Sequence, residues 1–453
     1  MRVVIGSLFL LLLLPGQLSA RTWHVPAEAP TIQAGIDSSA VNDVVEIASG
    51  FYFEHDIVMK SGITLRGETT QAPDVTIDAA WQGRVLICED LDQATYFMGL
   101  TFSCGRMPDN ADYGGAILCV NSTVSFTNCD IVDSYSGYAG GGLASSSSQV
   151  YLERCRFIDN ESYMSGGGMY INLGDIEVLH CLFETNISTD GAGIFCQRTS
   201  PLIEWCTFLN NDGLFFGGAI YLQVEASPTI RNCSLVGNQA YLGGGIMTVG
   251  DSYPLLENCI IAYSIDGAGL HYDGNGGDTT RVHVECCDLF GNEGGSYSGW
   301  IEDQTGINGN INADPWFCDL PLGDITLATG SPCLPAGNDC SVLMGAWSGG
   351  CSIAPATELV LAGPRLESSY PNPFNPATNI AFSLIRPQRV TLALYDIQGR
   401  LVTILADRTF ERGSHSEPWD GRDAAGRDVP SGTYFARMAT ADGVQTSKLM
   451  LLR

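Results

Sequence analysis

Acidic side chains recur at a fixed interval along the middle of this chain. Carboxylates held side by side are what general acid–base catalysis and cation binding require. Asp133 and Asp159 lie 26 residues apart, and Glu204, Arg231, Glu257 and Glu285 follow one another at steps of 27, 26 and 28. Carboxylates around a guanidinium could hold a cation and remove a proton. They more often form a surface ion-pair ladder of small energetic weight, which is the reading favoured here. The histidines (His24, His55, His180, His271, His283, His415) are scattered and none precedes a glycine. No catalytic residue is assigned. The run Asp273-Gly274-Asn275-Gly276-Gly277-Asp278 has the composition of a calcium loop, with Asp273, Asn275 and Asp278 as candidate ligands. Val284 stands where such a loop needs its acidic twelfth residue, so an insertion is favoured over a metal site, and calcium is the one cofactor the composition suggests.

Ring-bearing residues recur with the same interval. Tyr170, Phe195, Tyr221, Met247 and His271 stand two residues past the end of a repeated Gly-rich tripeptide, while Tyr138, Met164, Phe215 and Tyr241 stand four before it. A flat stack of rings can bind the apolar faces of sugars, be covered by a loop, or pack on itself. Tyr170, Phe195, Tyr221 and His271 are the candidate ligand-binding residues, on the expectation that pleating turns this column outward.

The elements that would position these columns follow from two markers in phase. Cys129, Cys155, Cys181, Cys206, Cys233, Cys259 and Cys287 recur at steps of 26, 26, 25, 27, 26 and 28. Ala116, Gly142, Gly168, Gly193, Ala219, Gly245 and Gly269 end the tripeptides at steps of 26, 26, 25, 26, 26 and 24. Around each cysteine, apolar and polar residues alternate with a period of two, which means short strands. A unit this short buries its apolar face only by stacking on copies of itself. The pattern predicts an all-β chain wound as a right-handed parallel β-helix, with Asn160, Asn186, Asn211 and Asn238 as a stacked turn ladder. The ladder cysteines read as small buried thiols. Thr31–Ile36 could form a short amphipathic helix over the open first coil.

Residues 1–20 read as an export signal: Arg2, an apolar run, then Leu18-Ser19-Ala20. No later stretch reads as a membrane span. A net charge of −28, from 50 acidic against 22 basic residues, disfavours nucleic acid and anionic membranes. Sixteen cysteines in an exported chain permit disulfides. Bridges among Cys318, Cys333, Cys340 and Cys351 would close the last coil, in one of three pairings. The β-helix is expected over 21–352 and a linker over 353–365. Alternating residues over 366–453 (Ile380, Phe382, Leu384; Val390, Leu392, Leu394) predict a small Ig-like β-sandwich.

Within that last module, SYPNPFNPATNI at 369–380, LYDIQGRLV at 394–402, WDGRD at 419–423 and VPSGTYFARM at 429–438 resemble the C-terminal sorting domain of the type IX secretion system. They are also similar to the Ig-like domain of flagellar hook-assembly proteins. The resemblance implies contact with secretion machinery, passage across an outer membrane, and anchoring or release at the cell surface. GGAI at 114–117 and 217–220, with FIDN at 157–160, FETN at 183–186 and FLNN at 208–211, resembles the repeats of polymorphic outer-membrane proteins, which are autotransported adhesins. More broadly the region looks like the pectate-lyase-like β-helix superfamily. Several repeats carry Gly-Gly-Gly or Gly-Ala-Gly instead, and LVGN at 235–238 lacks the Phe. No translocator-barrel pattern follows, so autotransport does not carry over. The expectation is an exported, noncatalytic surface protein that contacts a polysaccharide or a host or envelope surface. A polysaccharide lyase or glycoside hydrolase, and a purely structural envelope component, are the alternatives.

Overall fold

The structure is a computed structural model that describes residues 20–108, 113–274, 281–351, 365–370, 372, 374, 376–384, 388–396, 400–410, 413–440 and 443–451. The expected export signal and linker lie outside these residues, apart from Ala20 and Arg365. Compactness divides the chain into two units. The first runs to Trp316 and includes Thr329–Gly350; the second comprises Phe317–Ala328 and the chain from Cys351 onward.

The first unit is a parallel β-helix. One coil shows the plan: strands Ile117–Val120, Thr123–Thr127, Asp130–Val132 and Tyr135–Ser136, each separated by a sharp bend. Each strand pairs in parallel with its counterpart in the next coil. Phe126, Leu152, Val178, Ile203, Ile230, Leu256 and Val284 stand in one register column. Ile131, Phe157, Phe183, Phe208, Leu235, Ile261 and Leu289 form another. All of these residues are buried, and Phe157, Phe183 and Phe208 stack at ring separations of 4.7 and 4.9 Å.

The bends explain the sequence markers. Asn128, Arg154, His180, Trp205, Asn232, Asn258 and Cys286, each just before a ladder cysteine, all adopt left-handed backbone near φ 50–56°. Such a conformation costs an L-residue roughly 1–2 kcal/mol, so it persists only where the coil-to-coil hydrogen bonds hold it. The first glycine of each tripeptide is also left-handed, as at Gly114 (φ 72°), and the second lets two coils touch: a Cβ on Gly141 would lie 2.3 Å from the Glu161 carbonyl oxygen. Below the next bend, Asn160, Asn186 and Asn211 each donate an amide hydrogen to the following Asn at 2.9–3.1 Å. The ladder thiols are buried and unbridged, and Cys155, Cys181 and Cys259 donate their backbone N–H to the next sulfur at 3.3–3.4 Å.

Two devices finish the unit. At its start, helix Ile32–Ser38 is capped by Thr31, whose side chain accepts from Ala34 N at 3.1 Å, and buries Ile32, Gly35 and Ile36. At the other end, a strap formed by 331–347 runs back over the face built from Asp130–Val132 and its equivalents. Trp347 Nε1 donates to Thr207 Oγ1 at 2.8 Å, Ala346 N to Ser234 Oγ at 2.9 Å, Gly345 N to the Asn258 carbonyl at 2.8 Å, and the Cys333 thiol to Asp288 Oδ2 at 3.2 Å. Met344 of the strap is buried, and Gly345 lies against Ile260, which is buried as well.

The second unit contains the expected sandwich. One sheet holds Arg365–Tyr370, Thr378–Leu384 and Gly413–Trp419; the other holds Leu401–Phe410, Gln388–Asp396, Gly432–Thr440 and Gly443–Leu451. Ile380, Phe382 and Leu384 meet Val390, Leu392 and Leu394 in its core.

Candidate functional site

Pleating does turn the predicted ring column away from the core: inward Met169 and Ile171 flank outward Tyr170, and Ile194 and Cys196 flank outward Phe195. The column is nevertheless closed to solvent. Tyr170, Phe195 and Tyr221 are 5, 4 and 5% exposed, and Met247 and His271 are also buried. The glycine corner is concave on its outer side. Residues just before each corner, among them Tyr113, Phe216 and Leu242, lean over it and pack with the column. The covered rings stack on one another, Tyr170 with Phe195 at 5.4 Å and Phe195 edge-on to Tyr221 at 5.3 Å. These four candidates therefore do not present ring faces to a ligand as expected. His271 Nδ1 shares a 2.8 Å hydrogen bond with Ser298 Oγ, and burial lowers its pKa against the opposing charge of Asp273.

The filling fails at one coil. There both corner positions are alanine, Ala139 and Ala144, and a cavity of 320 Å³ opens. Its walls include Arg84, Tyr113, Leu118, Val120, Tyr170 and Asn172. Tyr113 lies 5.3 Å from Tyr170 and 4.9 Å from Tyr138. Burial first, then the neighbouring Tyr170 and Tyr138 hydroxyls, push the pKa of Tyr113 well above its ordinary value. Burial also raises that of Tyr170, against the Gln197 amide that donates to its hydroxyl oxygen. The walls offer phenol hydroxyls, which are neutral at neutral pH. Among the described residues no carboxylate lines the cavity.

The second ring column has the opposite fate apart from Tyr138, which is half-buried and packs against Tyr113. Met164, Phe215 and Tyr241, with the adjacent Tyr163 and Leu214, form an exposed ridge on the shoulder before the corner; Tyr163, Phe215 and Tyr241 are 60, 56 and 67% exposed. The signal for it was present in the spacing, but period alone did not rank it above the covered column.

The acidic columns fall where their spacing placed them. Arg231 bridges Glu204 at 3.5 Å and Glu257 at 2.7 Å on the surface, an ion-pair ladder. Asp133 is raised in pKa by burial and then by the charges of Asp159 and Asp78. Thr185 Oγ1 donates to Asp159 at 2.6 Å. Glu257, Glu285 and Asp339 line a 570 Å³ depression beside the Cys286–Cys340 bridge. Asp273 ends the strand Leu270–Asp273 exposed, while Asn275 and Asp278 lie outside the described residues. Among the described residues no group of three or more His, Cys, Asp or Glu is placed to hold a metal ion.

The expected cysteine bridges need correction. Cys318 pairs with Cys351, both in the second unit, but Cys340 pairs with Cys286 rather than within the expected four. Cys286 occupies an outward bend position, where the returning strap reaches it. Cys333 remains a buried thiol because its neighbour is the carboxylate of Asp288. Burial pushes that carboxyl up to about 7, against donation from Ala313 N and Cys333.

Comparison with known proteins finds two families. That described as right handed beta helix region matches residues 61–216 and 163–311, and that described as secretion system C-terminal sorting domain matches residues 368–452. No curated protein matches the chain. Among solved structures, it is similar to the enzymatically active domain of tailspike protein 4 of bacteriophage CBA120, at 10% identity and a TM-score of 0.25, over 90% of this chain and 63% of that one. The chain spans about 63% of the length of that domain, and a likeness this weak carries no argument.

Proposed function

Because this chain belongs to the right-handed β-helix family and carries a secretion sorting domain, we propose that it is an exported protein that binds polysaccharide at or beyond the cell surface without cleaving it. The observation that supports this reading is the exposed ridge of Tyr163, Met164, Leu214, Phe215 and Tyr241. From the coil of Tyr163 to that of Tyr241 it covers three coil steps, about 14 Å at ~4.8 Å per step. Exposed apolar surface of this kind marks an interaction site, and rings in the adjacent coils of Phe215 and Tyr241, with Tyr163 two coils before Phe215, suit the repeating apolar faces of a sugar polymer.

The test uses the purified full chain against neutral and acidic polysaccharides. Retention on at least one polymer is expected, with Phe215→Ser/Tyr241→Ser abolishing it while the melting profile is unchanged. Retention that survives the double substitution would remove the ridge from the account. A cleaving enzyme is the second reading, supported by the acidic depression of Glu257, Glu285 and Asp339. Release of unsaturated or reducing ends over time, lost in Glu257→Gln, would favour it.

A further inference from the structure

We propose that the notch over Ala144 is a subsite for one neutral sugar ring, a deepening of the polysaccharide-binding reading on which it rests. Four observations support it. First, the corner is filled by large side chains in the neighbouring coils, Leu118 before it and Tyr170, Phe195 and Tyr221 after it, whereas the coil of Ala139 and Ala144 carries two alanines there and the cavity opens at Ala144. The opening is a missing side chain in an otherwise continuous column, so its shape is set by rigid strands on both sides. Second, its 320 Å³ falls at the small end of the range for small-molecule sites, about 300–1,000 Å³.

Third, the lining is divided as a sugar requires. Leu118, Val120 and Ala144 supply apolar lining, and Tyr113 and Tyr170 add rings that carry hydroxyls. Both phenols are neutral at neutral pH. The Tyr113 and Tyr170 hydroxyls hydrogen-bond to each other, and a sugar hydroxyl would join or replace that bond. Fourth, Asn172, a residue of the notch wall, carries a polar atom without a partner: its Oδ1 is buried and has no hydrogen-bond partner among the described residues. Buried polar atoms are ordinarily paired, and a ligand hydroxyl would supply the missing donor. A charged sugar fits less well. The guanidinium of Arg84 is engaged with the carbonyls of Tyr113 and Gly114, and the chain as a whole carries −28.

Ligand-observed NMR titration of the full chain with glucose, galactose, mannose, N-acetylglucosamine and glucuronate tests the proposal. Saturable binding of at least one neutral sugar is expected. Ala144→Leu, which fills the notch, should weaken it at least tenfold. Asn172→Ala and Tyr170→Phe, each removing one hydrogen-bonding group, should weaken it about 2- to 10-fold. Asn172→Ala keeps the test valid if Ala144→Leu misfolds. No saturable binding of any neutral sugar, binding of glucuronate alone, or parental affinity in the Asn172→Ala and Tyr170→Phe variants would overturn the subsite. Failure of the broader reading is separate: it shows as no polymer retained by the parent chain, whereas failure of the subsite alone leaves polymer retention intact in Ala144→Leu.

Discussion

Tyr170, Phe195 and Tyr221 follow the glycine corner, whereas Phe215 and Tyr241 precede it by a few residues in the same coils. The first group is almost wholly covered and the second is more than half exposed. Both columns carry rings and a methionine on the coil period, the second interrupted at Thr189. What separates them is curvature: the corner folds its outer walls together, so side chains there meet each other, while those on the shoulder meet water. In a solenoid, pointing away from the core and being accessible are different properties, and the pleat decides only the first.

The comparison can be broken most decisively by truncation. Tyr221→Ala should destabilise the β-helix by about 3 kcal/mol, as expected for a ring removed from a packed cluster, read as a lower urea midpoint. A loss too small to measure would mean that the corner is open. A pH effect of intermediate size should follow from Asp190, which flanks the covered rings and bears on Tyr221. Its Oδ1 is buried without a partner among the described residues, and burial raises its pKa to about 6. Because the folded value exceeds the unfolded one, its contribution to stability is full below about pH 4 and is lost as pH rises through 6. Asp190→Asn should flatten the stability profile in that window, and an unchanged slope would remove the carboxyl from the corner. The smallest effect belongs to the shoulder: Tyr241→Ala should alter stability by no more than about 0.5 kcal/mol, whatever it does to binding.

The interior of the β-helix was legible because its side chains repeat with the coil. The Phe157–Phe183–Phe208 stack and the Asn160–Asn238 ladder follow from period and residue type, whereas the left-handed bends at Arg154, His180, Trp205 and Cys286 do not, since those residue types give no sign of one. The capping helix was legible as a short amphipathic stretch over Thr31–Ile36, and the sandwich core from alternation at Ile380–Leu384. The strap was not. Its contacts join residues 112 and 140 positions apart, Ala346 with Ser234 and Trp347 with Thr207, and nothing in the period announces a chain that turns back. For the same reason Cys286 was not seen as the partner of Cys340, nor Asp288 as a buried carboxyl. The notch was missed because its signal is a coincidence of two small residues, Ala139 and Ala144, which looks like ordinary variation in a glycine-rich repeat.

A stack held only between neighbours can peel away layer by layer from either extremity. Here the last layers are stitched: one ribbon touches those of Thr207, Ser234, Asn258 and Asp288, and a covalent bond at Cys286 fastens it. Those four layers must therefore let go together, which leaves the helix-plugged extremity at Ile32 as the seam where unravelling begins.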